Sequence, residues 1–200
     1  MRHTVDLAEE WASSAWKRFQ LTPPVDLTII CKALKINFRQ KGLDAENGGY
    51  LLRTPKRRYI VLNKNHDICR QRFVIGHEIC EYLLDRSNNQ LSHNIATSLC
   101  DKANRERERF CDRFAARLLM PGDWVRKLAV ELHHSAKNNK ADVLAGRFGV
   151  SVQAMQIRLR ELGLDEYSKQ GEWSEARFRE TTRELEAFVE ELVRAKGGSL

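Results

Sequence analysis

At Asp67 the spacing of apolar residues changes, and that change limits the fold more than any other feature of the chain. Before it, three short runs have the character of strands: Ile36-Asn37-Phe38, Gly49 to Arg53, and Arg58 to Asn63. Thr54-Pro55-Lys56-Arg57 separates the last two, which predicts an antiparallel hairpin. After Asp67, apolar residues recur every three or four positions, which predicts helices over 67–85, 102–119, 122–134, 139–148, 152–162 and 174–195. Upstream, residues 6–20 place Leu7, Trp11 and Ala15 on one helical stripe, and Pro23-Pro24 breaks the chain before a short helix from Val25 to Leu34. A small antiparallel sheet followed by helices is an α+β arrangement. The expected organisation is an N-terminal helical extension (1–22), a main domain (23–135), a helix-turn-helix-like segment (136–164), and a linker with a C-terminal amphipathic helix (165–200).

Composition narrows the class. A 200-residue chain that is 42% hydrophobic buries one substantial core and is too apolar to be disordered. No run is long and apolar enough to cross a bilayer, and the start MRHTVDLAEEWASSAW lacks the features of a signal peptide, so the expectation is a cytoplasmic protein without a membrane partner. Cys31, Cys69, Cys80, Cys100 and Cys111 are odd in number and sit within apolar helical patterns, as reduced and mostly buried thiols do. The net charge of +7 hints at an acidic partner. Against that, the basic residues are scattered among carboxylates in Arg/Glu helices, and residues 138–164 hold only +2, which weakens the hint.

The chemistry sits in FVIGHEICEYLL, residues 73–84. His77 and Glu81 are four apart, so a helix stacks them on one face, close enough to share a metal ion. Glu78 points beside that face, where a carboxylate can take a proton from water. This is the His-Glu-x-x-His arrangement of zinc peptidases with Glu81 in place of the second histidine. Taken alone, the segment reads first as a partly buried polar face on a core helix and only second as a metal site. A second helix, ERFCDRFAARLLMP, brings Glu108 and, one turn later, Asp112. A glutamate from another helix is a standard third zinc ligand, and a carboxylate four residues on can accept the free ring N–H of the ligating histidine. Glu108 also fits a solvated charge in the run Arg105 to Arg109, whereas Asp112 falls among apolar neighbours.

Together RQRFVIGHEICEYLL and ERFCDRFAARLLMP resemble the ImmA/IrrE family of metallopeptidases, and the likeness extends from about residue 23 to 164. The resemblance implies a metallopeptidase-like main domain with a zincin-like helix pair. It also implies a gluzincin-like site with His77, position 81 and Glu108 as ligands, Glu78 as general base and Asp112 behind His77. It further implies an endopeptidase that cleaves a helix-turn-helix repressor in a stress or mobile-element response. Two departures stand out: Glu81 replaces a histidine, and Asp112 replaces the family's usual asparagine. An oxygen-rich donor set polarises water less and moves preference from zinc, the first choice, towards manganese or iron(II). Three readings stay open: an active enzyme, a weak or alternative-metal site, and a degenerate site in a regulator that binds DNA or a repressor.

Cys80 and Cys111 lie near the proposed metal face, where buried packing is the expected role. His66 and His93 are loop histidines that could supply a missing imidazole, His133-His134 ends a helix, and Tyr50 and Tyr82 are donors or core residues. Residues Leu144 to Leu159 fit two helices joined at Gly149, the second capped by Ser151 and offering Gln153, Gln156, Arg158 and Arg160 to DNA or a protein partner. On the last helix Phe178, Leu185, Val189 and Leu192 form a stripe that either folds back in a monomer or makes a homodimer seam.

Overall fold

The computed structural model describes residues 6–88, 101–133 and 140–167. The expected C-terminal helix with Phe178, Leu185, Val189 and Leu192 lies outside them, as do Cys100, His93 and His134 and the side chain of His133.

Helix α1 (Leu7–Phe19) starts where Asp6 accepts the Ala8 N–H at 3.1 Å. Its buried stripe is Ala8, Ala12 and Trp16, one position round from the expected Leu7, Trp11 and Ala15; Leu7 is 58% exposed. The two alanines allow close packing on the later helices, and Trp16 donates its indole N–H to the Leu118 carbonyl at 2.7 Å. Helix α2 (Leu27–Leu34) is capped by Asp26 and ends at Lys35 in the left-handed region, φ 57°. Strands β1 (Ile36–Lys41), β2 (Gly49–Arg53) and β3 (Arg58–Asn63) form a sheet of order β1-β3-β2. The β2/β3 hairpin is antiparallel as expected, but β1 pairs with β3 in parallel, so the sheet is mixed. The chain turns back between β1 and β2, and β3 enters the gap between two oppositely directed strands, so it must run parallel to one of them.

Two long helices carry the site: α3 (Ile68–Asn88) and α4 (Asp101–Leu119). They cross closely at Gly76, where a Cβ would lie 3.1 Å from the Ala115 Cβ and 3.2 Å from its Cα. That contact lies next to His77. Gly76→Leu is expected to cost about 1–3 kcal/mol through overpacking and to weaken metal binding by spreading the helices, read by thermal melting and chelator competition on the same samples. Unchanged metal affinity would remove any role for this crossing in aligning the ligands.

Helices α5 (Gly122–His133), α6 (Lys140–Phe148) and α7 (Val152–Glu161) and a short 3-10 turn (Asp165–Tyr167) complete the described chain. Gly149 sits at φ 63° between α6 and α7, and Ser151 caps α7 by accepting from Ala154 at 3.2 Å. Gln153 and Arg160 are exposed and Gln156 is half-buried, whereas Arg158 is 3% exposed and does not reach solvent. Its guanidinium donates to the Met120 carbonyl (3.0 Å), Glu161 (3.1 Å) and Glu9 (2.8 Å). Arg117, also buried, joins Asp6 (2.9 Å) and Glu161 (3.3 Å). Two arginines among three acids thus bind α1, α4 and α7 together, and Arg158 as a surface contact is corrected to an internal tie. One apolar core runs from Ala8 to Tyr167. Among the described residues no helix is long and apolar enough to cross a membrane.

Candidate metal centre

One face of α3 presents His77 and Glu81, α4 brings Glu108 opposite, and one donor atom from each lies within 4.8 Å of the others. His77 is held from behind, its Nδ1 2.9 Å from Asp112 Oδ1 and its Nε2 3.4 Å from Glu108 Oε2. Asp112 thereby fixes a proton on Nδ1 and turns Nε2 towards Glu108. Burial opposes a charge on His77, but the hydrogen bond it donates to Asp112, with the neighbouring Cys111, Asp112 and Glu78, raises its pKa to about 9.

Glu78 is 6% exposed, and its Oε2 is buried without a hydrogen-bond partner. Burial, then the charge of Glu81, pushes its pKa up to about 7, against the pull of His77 and a backbone hydrogen bond from Leu51. A cavity of about 370 Å³ opens onto His77, Glu78 and Glu108. Gly48 and Gly49 at the start of β2, with Phe73 and Val74 one turn earlier on α3, complete much of its lining. Gly48 and Gly49 have no room for side chains: a Cβ would come 2.6 Å from Val74 Cγ2 at the first and 2.4 Å from the Val61 carbonyl at the second. Buried Asn63 shapes that lining, because its amide donates to the carbonyls of Leu43, Asp44 and Asn47 at 3.2, 3.1 and 2.9 Å. The carbonyls of the turn preceding β2 are thus satisfied by one side chain.

The donor set fits a divalent cation. An oriented imidazole and two converging carboxylates can exchange the His77 proton for a metal ion, beside the buried and unpartnered carboxylate oxygen of Glu78. Since the cation must displace the proton of His77, apparent affinity is expected to rise about tenfold per pH unit up to about pH 9. Chelator competition at three pH values measures this, and a flat profile would show that His77 is neutral before the metal arrives.

A neighbouring ladder was hidden in the sequence. Arg107 donates through Nε to Glu81 Oε1 at 3.2 Å and through Nη2 to Asp85 Oδ1 at 2.7 Å, and Asp85 also pairs with Arg53 of β2. The readable signal was Glu81 and Asp85 at i and i+4, two like charges on one helical stripe that call for a cation between them. Other candidates lie elsewhere. His66 bonds the Ala45 carbonyl at 2.8 Å, and Tyr82 is buried beneath Arg58. Tyr50 is 38% exposed on β2. Cys80 and Cys111 are fully buried and hydrogen-bonded to each other, and Cys31 and Cys69 are likewise buried free thiols.

The model of a peptidase family described as the IrrE N-terminal-like domain matches residues 31–160. The chain belongs to that family. Among curated proteins no relative matches it. The IrrE-like match spans both site helices, the sheet and α6–α7, while α1 lies outside it and still packs into the same core. Membership makes this a metallopeptidase-type protein, and its His-Glu-Glu cluster is a candidate site for the metal such peptidases require. Within that family setting, the Arg107 contact gives the Glu81 departure a physical neighbour.

Proposed function

We propose that the chain is a metal-dependent endopeptidase in which His77, Glu81 and Glu108 are the ligands, Glu78 is the general base and Asp112 orients His77. The observation that carries this reading is the convergence of three donors within 4.8 Å beside the buried, unpartnered Oε2 of Glu78. A divalent cation held there, zinc first and manganese or iron(II) as harder alternatives, would supply a Lewis acid for the scissile carbonyl and lower the pKa of a water.

The protein's own groups do the rest. Glu78, with its pKa near 7, is basic enough to take the proton of an attacking water and, once protonated, acidic enough to return it to the leaving amine. Asp112 keeps the His77 ring from rotating and from presenting the wrong nitrogen. Gly48 and Gly49 let the start of β2 sit directly against Val74 of α3, so backbone rather than bulk borders the cavity beside Glu78. For substrate, the family resemblance points to a helix-turn-helix repressor in a stress or mobile-element setting, met in the cytoplasm.

The test is the full-length chain loaded with zinc, manganese or iron(II) and given a folded helix-turn-helix repressor. Glu78→Gln is expected to keep the metal and lose about 10²–10⁴-fold in cleavage rate. Equal cleavage by the native chain and Glu78→Gln would overturn the assignment. Stoichiometric metal without cleavage by any form would favour the regulator reading.

A further inference from the structure

The surplus positive charge has one address. Residues 32–64 carry nine lysines and arginines against Asp44 and Glu46, a surplus of seven, so the rest of the chain is balanced. The interleaving of Arg and Glu holds for the helices and fails for the sheet.

Register decides where those charges go. Ile36, Phe38, Ile60 and Leu62 form the buried face of the sheet. On the other face Val61 and Asn63 of the central strand are buried too, and exposure lies around them: Arg39 of β1 is level with Val61, and Tyr59 of β3 lies between Asn37 and Leu52. Arg39 and Lys41 are exposed, Tyr50 is 38% exposed and Tyr59 is half-buried. The Arg39 guanidinium lies 4.2 Å from the centre of the Tyr59 ring. At the end of the hairpin, Thr54 accepts from the Arg57 N–H at 2.9 Å and donates its own N–H to the Arg57 carbonyl at 2.8 Å. That turn holds Lys56 and Arg57 in solvent.

Among the described residues, Arg39, Lys41, Lys56 and Arg57 enter no ion pair, while Arg53, Arg107, Arg117, Arg147 and Arg158 all do. The helix-turn-helix segment is poorer in free charge: Arg158 is buried, and Arg147 faces Glu131 at 3.5 Å.

We propose that the basic and aromatic groups on this side of the sheet, Arg39, Lys41, Arg57, Tyr50 and Tyr59, bind single-stranded nucleic acid. Three strands make a strip about 10 Å across, a width that suits one strand of nucleic acid. Uncompensated cations follow a phosphate backbone, and tyrosine rings give unpaired bases a stacking surface. An anionic membrane shares the charge but not the use for ring faces.

The experiment is fluorescence anisotropy of the full-length chain with short labelled oligothymidylate and oligouridylate over a salt series. Arg39→Glu with Arg57→Glu is expected to weaken binding at least tenfold and to reduce the slope of log affinity against log salt by about 1.4. Tyr59→Leu, or Tyr50→Ala should the first fail to fold, is expected to weaken binding about fivefold or more with the slope unchanged. Arg160→Glu on α7 is expected to bind as the native chain does. Metal affinity stays constant in all of them, so the outcome is independent of the peptidase reading. The proposal falls if the native chain shows no salt-dependent binding, if Arg160→Glu abolishes it while the sheet variants bind normally, or if the sheet variants lose only binding to phosphatidylserine vesicles.

Discussion

Glu81→His, although it restores the two-histidine motif of the family, is expected to weaken divalent-cation binding about tenfold to a hundredfold. The reason lies in Arg107. A carboxylate has two oxygens, so Glu81 can give Oε1 to Arg107 and still offer Oε2 to a cation. An imidazole has one lone pair and cannot serve both. With histidine at 81, the guanidinium stays anchored on Asp85 at 2.7 Å and stands beside the site with one carboxylate fewer to offset it. The same argument fixes the sign of Arg107→Gln alone. It frees the full negative charge of Glu81 and tightens the metal, whereas loss of a merely structural contact would loosen it. Glu81→His combined with Arg107→Gln should therefore recover binding, and the two changes are coupled if Arg107→Gln tightens the metal more with histidine at 81 than with glutamate, as expected for residues in direct contact. Chelator competition on the four proteins at one pH reads the cycle directly. If Glu81→His alone binds as tightly as the native chain, Arg107 does not set the charge of the site.

That coupling shows where the sequence is readable and where it is not. Helices α3 and α4 are legible because their apolar periodicity is long, and His77 with Glu81 because an i,i+4 pair shares a face by helical geometry alone. Arg158 looks the same on paper whether it faces DNA or the core, since its partner Glu9 lies 149 residues away. The stripe on α1 was misplaced by one residue because Leu7 outranks Ala8 in hydrophobicity, while close packing on α4 selects the smaller side chain. Strand order was out of reach for a related reason. Spacing reveals the β2/β3 hairpin but says nothing of which strand stands in the middle. The charge of residues 32–64, in contrast, is legible in the sequence alone, because a surplus of seven within 33 residues needs no spatial partner to define it.

Arg72 makes the largest stability prediction. It is 1% exposed and carries no carboxylate contact within hydrogen-bonding distance among the described residues; burial lowers its pKa to about 10. Its Nε donates to the Gly149 carbonyl at 3.1 Å and its Nη2 to the Val25 carbonyl at 3.0 Å. One side chain on the site helix therefore ties the α6–α7 turn to the segment that leads into α2. Arg72→Ala strands two buried carbonyls and opens a cavity, with an expected loss of about 3–5 kcal/mol, a large share of the roughly 5–15 kcal/mol that holds a typical domain together. Arg72→Met strands the same carbonyls but fills most of the volume and relieves the cost of a buried charge, so about half that loss is expected. Urea unfolding of the three proteins separates the contributions. A methionine variant as stable as the native chain would show that the desolvation of the charge had been offsetting both hydrogen bonds, and that Arg72 is held in place for the geometry of the turn rather than for stability.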